Sequence, residues 1–173
     1  TQDSLRRQVA VVPQDNVLFS GTIRDNLRLA RPAATDAELD AAVAALGADE
    51  VLLALPKGLD TECGAGGGQL SHGQRQLVCL VRAFIADPRV LVLDEATSAV
   101  DIHTERRIRR ALRRLCEGRT AVIVAHRLAT VRDADRIVVI HDGMIAEQGT
   151  HDALMSAGGR YAALYASSAR AGG

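Results

Sequence analysis

The chain has 173 residues, enough for one domain with its own core, and 47% of them are apolar, which excludes a disordered polypeptide. Its 21 basic and 21 acidic residues cancel, so no net field is available to hold nucleic acid or an anionic membrane surface, and partners must be selected by local sites. Cys63, Cys79 and Cys116 are widely spaced and form no C-x-x-C pair, which points away from a disulfide framework or a zinc site and towards a reducing cytosol.

Residues 8–12 read as a short buried strand stopped by Pro13, since a central strand cannot lose a ladder donor. Thr35-Asp36-Ala37-Glu38 has the S/T-x-x-E form of a capping box, and Leu39, Val43 and Leu46 follow at helical spacing until Gly47. A second short helix is expected over 51–55, ending at Pro56. Residues 63–68 are too glycine-rich for regular structure and are expected as a loop. Ser71-His72-Gly73-Gln74 then opens a helix with Leu77, Leu80, Val81 and Phe84 on one face, ending before Pro88.

From Arg89 strands alternate with helices, the pattern of a mostly parallel sheet with helical cover. Strands are expected over 90–93 and 121–125, with an arginine-studded helix over 104–115 between them that stops at Gly118. Residues 137–140 and 144–147 form a hairpin across His141-Asp142-Gly143, whose Asp-Gly step is a turn signal. A closing helix contains Tyr161, Leu164 and Tyr165, and 167–173 are expected as a loose tail. No apolar run approaches the roughly 18 to 20 residues that cross a bilayer, and the first residues lack a signal-peptide pattern, so direct bilayer insertion is not expected.

Asp94-Glu95 ends an apolar strand, where an open α/β sheet presents ligands at the carboxyl ends of its strands. Side chains alternate along a strand, so two adjacent carboxylates can divide the work: Asp94 to hold Mg²⁺ or its water, Glu95 to polarise an attacking water. A solvated strand end or a helix N-terminal charge pair is the plainer account of such a pair. Ser71 and Gln74 likewise form an S-x-x-Q capping box, which is a sufficient structural explanation of both. Gly73 inside the first turn costs roughly 1 kcal/mol unless close approach is wanted, and a helix N-terminus with free N–H groups receives anions.

His126 ends a strand, where a lone histidine commonly serves as a hydrogen-bonded cap. His72, His103, His141 and His151 share no spacing and are expected at the surface. Arg106, Arg107, Arg109, Arg110, Arg113 and Arg114 spread over a broad solvent face of one helix. No aromatic residues interleave there for base stacking, so nucleic acid is not an expected partner.

Taken in chain order, Gln14, Leu70-Ser71-His72-Gly73-Gln74, Leu91-Val92-Leu93-Asp94-Glu95, Ser98-Ala99-Val100-Asp101 and His126 resemble the Q-loop, signature, Walker B, D-loop and switch-histidine elements of an ATP-binding cassette (ABC) ATPase. The resemblance runs over essentially the whole chain. Stretches 14–23, 55–62 and 145–151 are similar to the ATPase domain that follows the membrane domain in bacterial exporters. The implied fold class is α/β: an incomplete P-loop NTPase (RecA-like) core with a parallel sheet, plus the ABC helical subdomain. The implied divisions are 1–15 as a remnant of the ATPase core with the Q-loop, 16–86 as the helical subdomain ending in the signature helix, 87–166 as the RecA-like core, and 167–173 as a tail.

The resemblance also implies ATP and Mg²⁺ as cofactors. Glu95 becomes the general base, Asp94 and Gln14 serve Mg²⁺, His126 addresses the γ-phosphate, and Asp101 connects two sites. Ser71, Gly73 and Gln74 are donated in trans to ATP held by a second nucleotide-binding domain in a head-to-tail dimer. The transmembrane domains of a transporter are the other implied partner, at the cytoplasmic face of the cytoplasmic membrane. On that analogy Val17, Leu18 and Phe19 help form an apolar groove for a coupling helix, although ordinary core residues read the same way.

Departures from the family pattern are equally specific. A P-loop needs G-x-x-x-x-G-K-[ST], yet the one lysine, Lys57, lies in Leu55-Pro56-Lys57-Gly58 with no Ser or Thr behind it. His72 stands where the signature usually has glycine, and 63–67 lack the usual acidic and basic pair. The family's P-loop strand lies between the strand ending at Ala125 and that over 137–140. Buried unpaired backbone groups cost on the order of 1 to 3 kcal/mol each, so the chain is expected to be marginal, gap-filled or rearranged there, and inactive alone. One alternative is a degenerate domain that dimerises and only supplies its signature helix in trans. A DNA-repair ATPase head is disfavoured, because no coiled-coil insertion interrupts the chain between Gln14 and Ser71.

Overall fold

The computed structural model describes residues 1–6, 8–95, 101–125 and 131–171, with Asp3, Glu95 and 169–171 described by backbone alone. The chain divides into two compact units, residues 1–124 and 125–173.

In the first unit α1 (Gln2–Arg6) leads into β1 (Val9–Val12), and Pro13 ends the strand. β1 pairs in parallel with β2 (Val90–Glu95), Val9 opposite Val90 and Val12 opposite Leu93, and β3 (Thr120–Ala125) lies on the other side of β2. This is the expected parallel arrangement: apolar strands far apart in sequence, joined by helices that cover them.

Three helices begin with the same local device. Thr22 and Asp25 form a reciprocal capping box at α2 (Ile23–Arg28), Thr35 and Glu38 at α3 (Asp36–Leu46), and Ser71 and Gln74 at α5 (His72–Ile85). Gly47 closes α3 in the left-handed conformation, as expected of a C-terminal glycine. Helix α2 was not anticipated, and α4 (Asp49–Leu52) starts earlier than expected and stops short of Leu55. Asp49 and Glu50 favour a helix N-terminus, while Pro56 excludes helical geometry at the residue before it. The glycine stretch is not wholly irregular: Ala65–Gly67 makes one 3₁₀ turn. Gly67 has φ +81°, and a Cβ there would meet Arg75 Cδ at 2.7 Å, while the Arg75 guanidinium donates to the Leu70 carbonyl at 2.7 Å. The loop is thus pinned to the start of α5.

α5 is the hub of the core, touching α2, α3, β1 and α6 (Ile102–Cys116). Leu77, Leu80 and Val81 are buried as expected, and so are Val78, Cys79 and Ala83 on its other faces, because helices enclose it on several sides. Phe84 is half-buried beneath the Arg119 guanidinium, 5.4 Å from the ring centre.

The second unit contains an antiparallel hairpin, β4 (Ile137–His141) and β5 (Met144–Gly149), whose turn residues Asp142 and Gly143 both take positive φ as a two-residue hairpin requires. Its strands form a sheet separate from β1-β2-β3. Helices α7 (His151–Ala157) and α8 (Arg160–Ala171) follow, so the segment expected as a tail from 167 is helical through Ala171. Glu147 accepts from the backbone N–H groups of Arg160 and Tyr161 and caps α8 from β5. His151, expected at the surface, is half-buried: its Nδ1 is 2.8 Å from the Tyr161 hydroxyl and its ring lies 4.9 Å from that of Tyr165. Ile137, Leu154 and Tyr161 form this unit's core. No helix among the described residues is long and apolar enough to cross a membrane.

Candidate functional site

The parallel register is what assembles the site. With Val12 opposite Leu93, the residues just beyond leave from the same carboxyl end of the sheet: Gln14 from β1, Asp94 and Glu95 from β2. Gln14 is exposed, and its carbonyl accepts from Asn16 Nδ2 at 3.2 Å. Asp94 is half-buried and engaged by a polar partner. The Glu95 backbone belongs to β2, whereas its side chain, Ser98 to Val100 and His126 lie outside the described residues.

Ser71 and Gln74 are placed as their spacing predicts. Ser71 Oγ accepts from the Gln74 N–H at 3.2 Å, and Gln74 Oε1 accepts from the Ser71 N–H at 2.8 Å. Both side chains are therefore occupied by helix capping, with Ser71 exposed and Gly73 buried beside it. His72, in the same turn, is half-buried, and its Nε2 has no hydrogen-bond partner among the described residues. Asp101 caps α6, its Oδ1 accepting from the N–H groups of Thr104 at 3.0 Å and His103 at 3.1 Å. Hydrogen bonding from Thr104 above all holds this carboxyl below the usual carboxylate range.

The donor chemistry at the sheet edge suits Mg²⁺. This ion takes hard oxygen ligands and is usually held by one or two carboxylates, with substrate phosphates completing the set. Gln14 and Asp94 offer an amide oxygen and a carboxylate. Among the described residues no group of three or more His, Cys, Asp or Glu is placed to hold a metal. The Gln14 and Asp94 oxygens are of the hard type that Mg²⁺ takes.

Sequence reasoning passed over several residues that the structure brings into play. Asn26 is buried: its Nδ2 donates to the carbonyls of Phe19 and Thr22, each at 2.9 Å, and its Oδ1 accepts from the Phe19 N–H at 2.8 Å. This fixes the segment after β1, leaving Leu18 in the core and Val17 and Phe19 exposed. Phe19 lines an open apolar cavity of about 290 Å³ together with Val11, Leu29, Cys79 and Arg82. Asn16 and Gln76 are also buried polar residues, and Gln76 sits in the second turn of α5 beside Asp94. Gln76 interrupts an otherwise apolar helix face, but nothing local in the sequence tells that this face is enclosed. Burial raises the thiols of Cys63 and Cys79, which opposes the thiolate character a reactive cysteine needs.

Comparison with known proteins places this geometry. The family model described as ABC transporter matches residues 1–98. An uncharacterized ABC transporter ATP-binding protein, YknV, of Bacillus subtilis is 51% identical over 161 residues, covering 93% of this chain and 27% of that protein. The cyclolysin secretion/processing ATP-binding protein CyaB of Bordetella pertussis is 52% identical over 163 residues, 94% of this chain and 23% of the relative. The solved structure of a bacterial Atm1-family ABC exporter with ATP bound superposes with a TM-score of 0.88 at 42% identity, over 98% of this chain and 30% of that one. The chain thus spans about a quarter of the length of these curated relatives. Its α/β fold, with a parallel sheet, is that of an ABC exporter nucleotide-binding domain, of P-loop NTPase type. The chain belongs to the ABC transporter family.

Proposed function

We propose that this chain is the ATP-hydrolysing portion of an ABC exporter, coupling ATP hydrolysis to movement of a substrate across the cytoplasmic membrane. The observation that carries the reading is the common carboxyl edge of β1 and β2, where Gln14 and Asp94 emerge together with Glu95. Asp94 and Gln14 would hold Mg²⁺, which when bound would supply positive charge to offset that developing on the phosphate. Glu95 takes the proton of the attacking water, and His126 holds the γ-phosphate. The N-terminus of α5, with Ser71, Gly73 and Gln74, meets the nucleotide of a second domain in a head-to-tail dimer, and Asp101 links the two sites. Ser71 and Gln74 can do this while capping their helix, because an anion is met by the free N–H groups of the first turn.

In this reading residues 16–86 are the helical subdomain, and 1–15 with 87–166 belong to the ATPase core. The cavity beside Phe19 receives a segment of the membrane domains at their cytoplasmic face. ATP hydrolysis by the complete protein tests the proposal. Asp94→Ala and Gln14→Ala should each raise the Mg²⁺ concentration needed for half-maximal rate, and an unaltered Mg²⁺ dependence in Asp94→Ala would overturn it.

A further inference from the structure

Behind the carboxyl edge lies a second, smaller cavity of about 20 Å³, lined by Val12, Asn16, Gln76, Leu80, Asp94 and Leu112 among others. Asn16 and Gln76 are 8% and 6% exposed, and Asn16 Oδ1 and Gln76 Oε1 are buried acceptors with no hydrogen-bond partner among the described residues. The orientation of the Asn16 amide is fixed, because its Nδ2 donates to the Gln14 carbonyl. Two amide oxygens left without donors inside a protein are uncommon, since each forfeits the hydrogen bond it would make in water. What both lack, among the described residues, is a donor. The space measures little more than the roughly 10 to 15 Å³ that a single water needs, and a hydrated cation does not fit it.

We infer that Asn16 Oδ1 and Gln76 Oε1 share one buried water in this cavity, next to the Asp94 carboxylate. That water ties three segments at one point: the turn after β1 through Asn16, the signature helix α5 through Gln76, and the end of β2. Because Asn16 also holds the Gln14 carbonyl, any shift of α5 reaches Gln14 and Asp94 through the same molecule. Gln76 is thereby a positioning residue for the two groups that serve Mg²⁺, a step that rests on the proposed function. The water site itself does not rest on it.

The first test is a crystal structure of the chain at a resolution that shows ordered water. One peak is expected about 2.7 to 3.2 Å from both amide oxygens. A dry cavity, or a protein donor on Gln76 Oε1, overturns the site. Gln76→Met removes the acceptor at similar volume and should raise the unfolding constant roughly three- to tenfold. If no water is held, the same variant relieves an unsatisfied oxygen and is as stable as the parent or more so. A double-mutant cycle with Asn16→Ala should show effects that do not add, and additive effects contradict a shared water. Should the variants not fold, the parent crystal structure alone decides. In the complete protein Gln76→Met should raise half-saturating Mg²⁺ several-fold with the KM for ATP unchanged, a split that general unfolding does not produce. Unchanged Mg²⁺ dependence removes the positioning role and leaves the water site standing. Absence of ATP hydrolysis in the parent protein removes the proposed function instead.

Discussion

Ser71 offers a way to separate folding from function at one atom. Its Oγ accepts one backbone N–H at 3.2 Å at an exposed helix end, so Ser71→Ala should cost about 1 kcal/mol, the middle of the range for such caps. The reciprocal bond from the Ser71 N–H to Gln74 Oε1 uses the backbone donor and survives the substitution, which argues against a larger loss. An energy of that size multiplies the unfolding constant about fivefold, and lowers the melting temperature of a domain this long by about 2 to 4 °C. Urea or thermal denaturation of the chain reads it directly. Ser71→Asp separates the roles, because aspartate caps as well as serine but brings a negative charge to the place proposed for a phosphate. It should therefore restore stability and abolish ATP hydrolysis in the complete protein. Wild-type hydrolysis by Ser71→Asp would refute the reasoning that this helix end faces nucleotide.

Asp101 titrates below the usual range in the folded chain, so the folded state binds fewer protons than the unfolded one as pH approaches the carboxylate range. Its contribution is complete above about pH 4, the ordinary carboxylate value, and is lost as pH falls through the lower folded value; Asp101→Asn should flatten that acid limb in denaturation measured across pH. Gly159→Ala would drive a Cβ into the Glu147 carboxylate, dislodging the cap of α8, and should destabilise the second unit by about 1 kcal/mol, the usual cost of a lost cap, seen as faster amide exchange over 131–171. Val122, Ile123 and Val124 of β3 are 55%, 36% and 52% exposed, so both faces of this strand present apolar surface. Sedimentation should show concentration-dependent self-association that Val122→Lys with Val124→Lys reduces, and a chain monomeric at every concentration would count against it.

The elements that were legible are those with local causes. Thr35 with Glu38 and Ser71 with Gln74 satisfy donors three residues away, so their pattern survives in a string of letters. Thr22 with Asp25 uses the same chemistry, but aspartate in place of glutamate and only six residues of helix made α2 easy to pass over. The β1 to β2 register brings residue 12 against residue 93, and no local signal carries that. The same holds for Gln76, whose burial is decided by β2 and α6, and for His151, whose partner Tyr161 lies on the next helix. Motif spacing was therefore enough for the family, whereas the small cavity behind Asp94 needed coordinates.

The central claim is that the edge formed by Gln14, Asp94 and Glu95 splits ATP. Glu95→Gln in the complete protein removes the proposed base while keeping its size, and turnover should fall by about 10² to 10⁴. Binding of ATP with Mg²⁺, measured on the same preparation, should persist. Turnover equal to that of the unaltered protein would contradict the account.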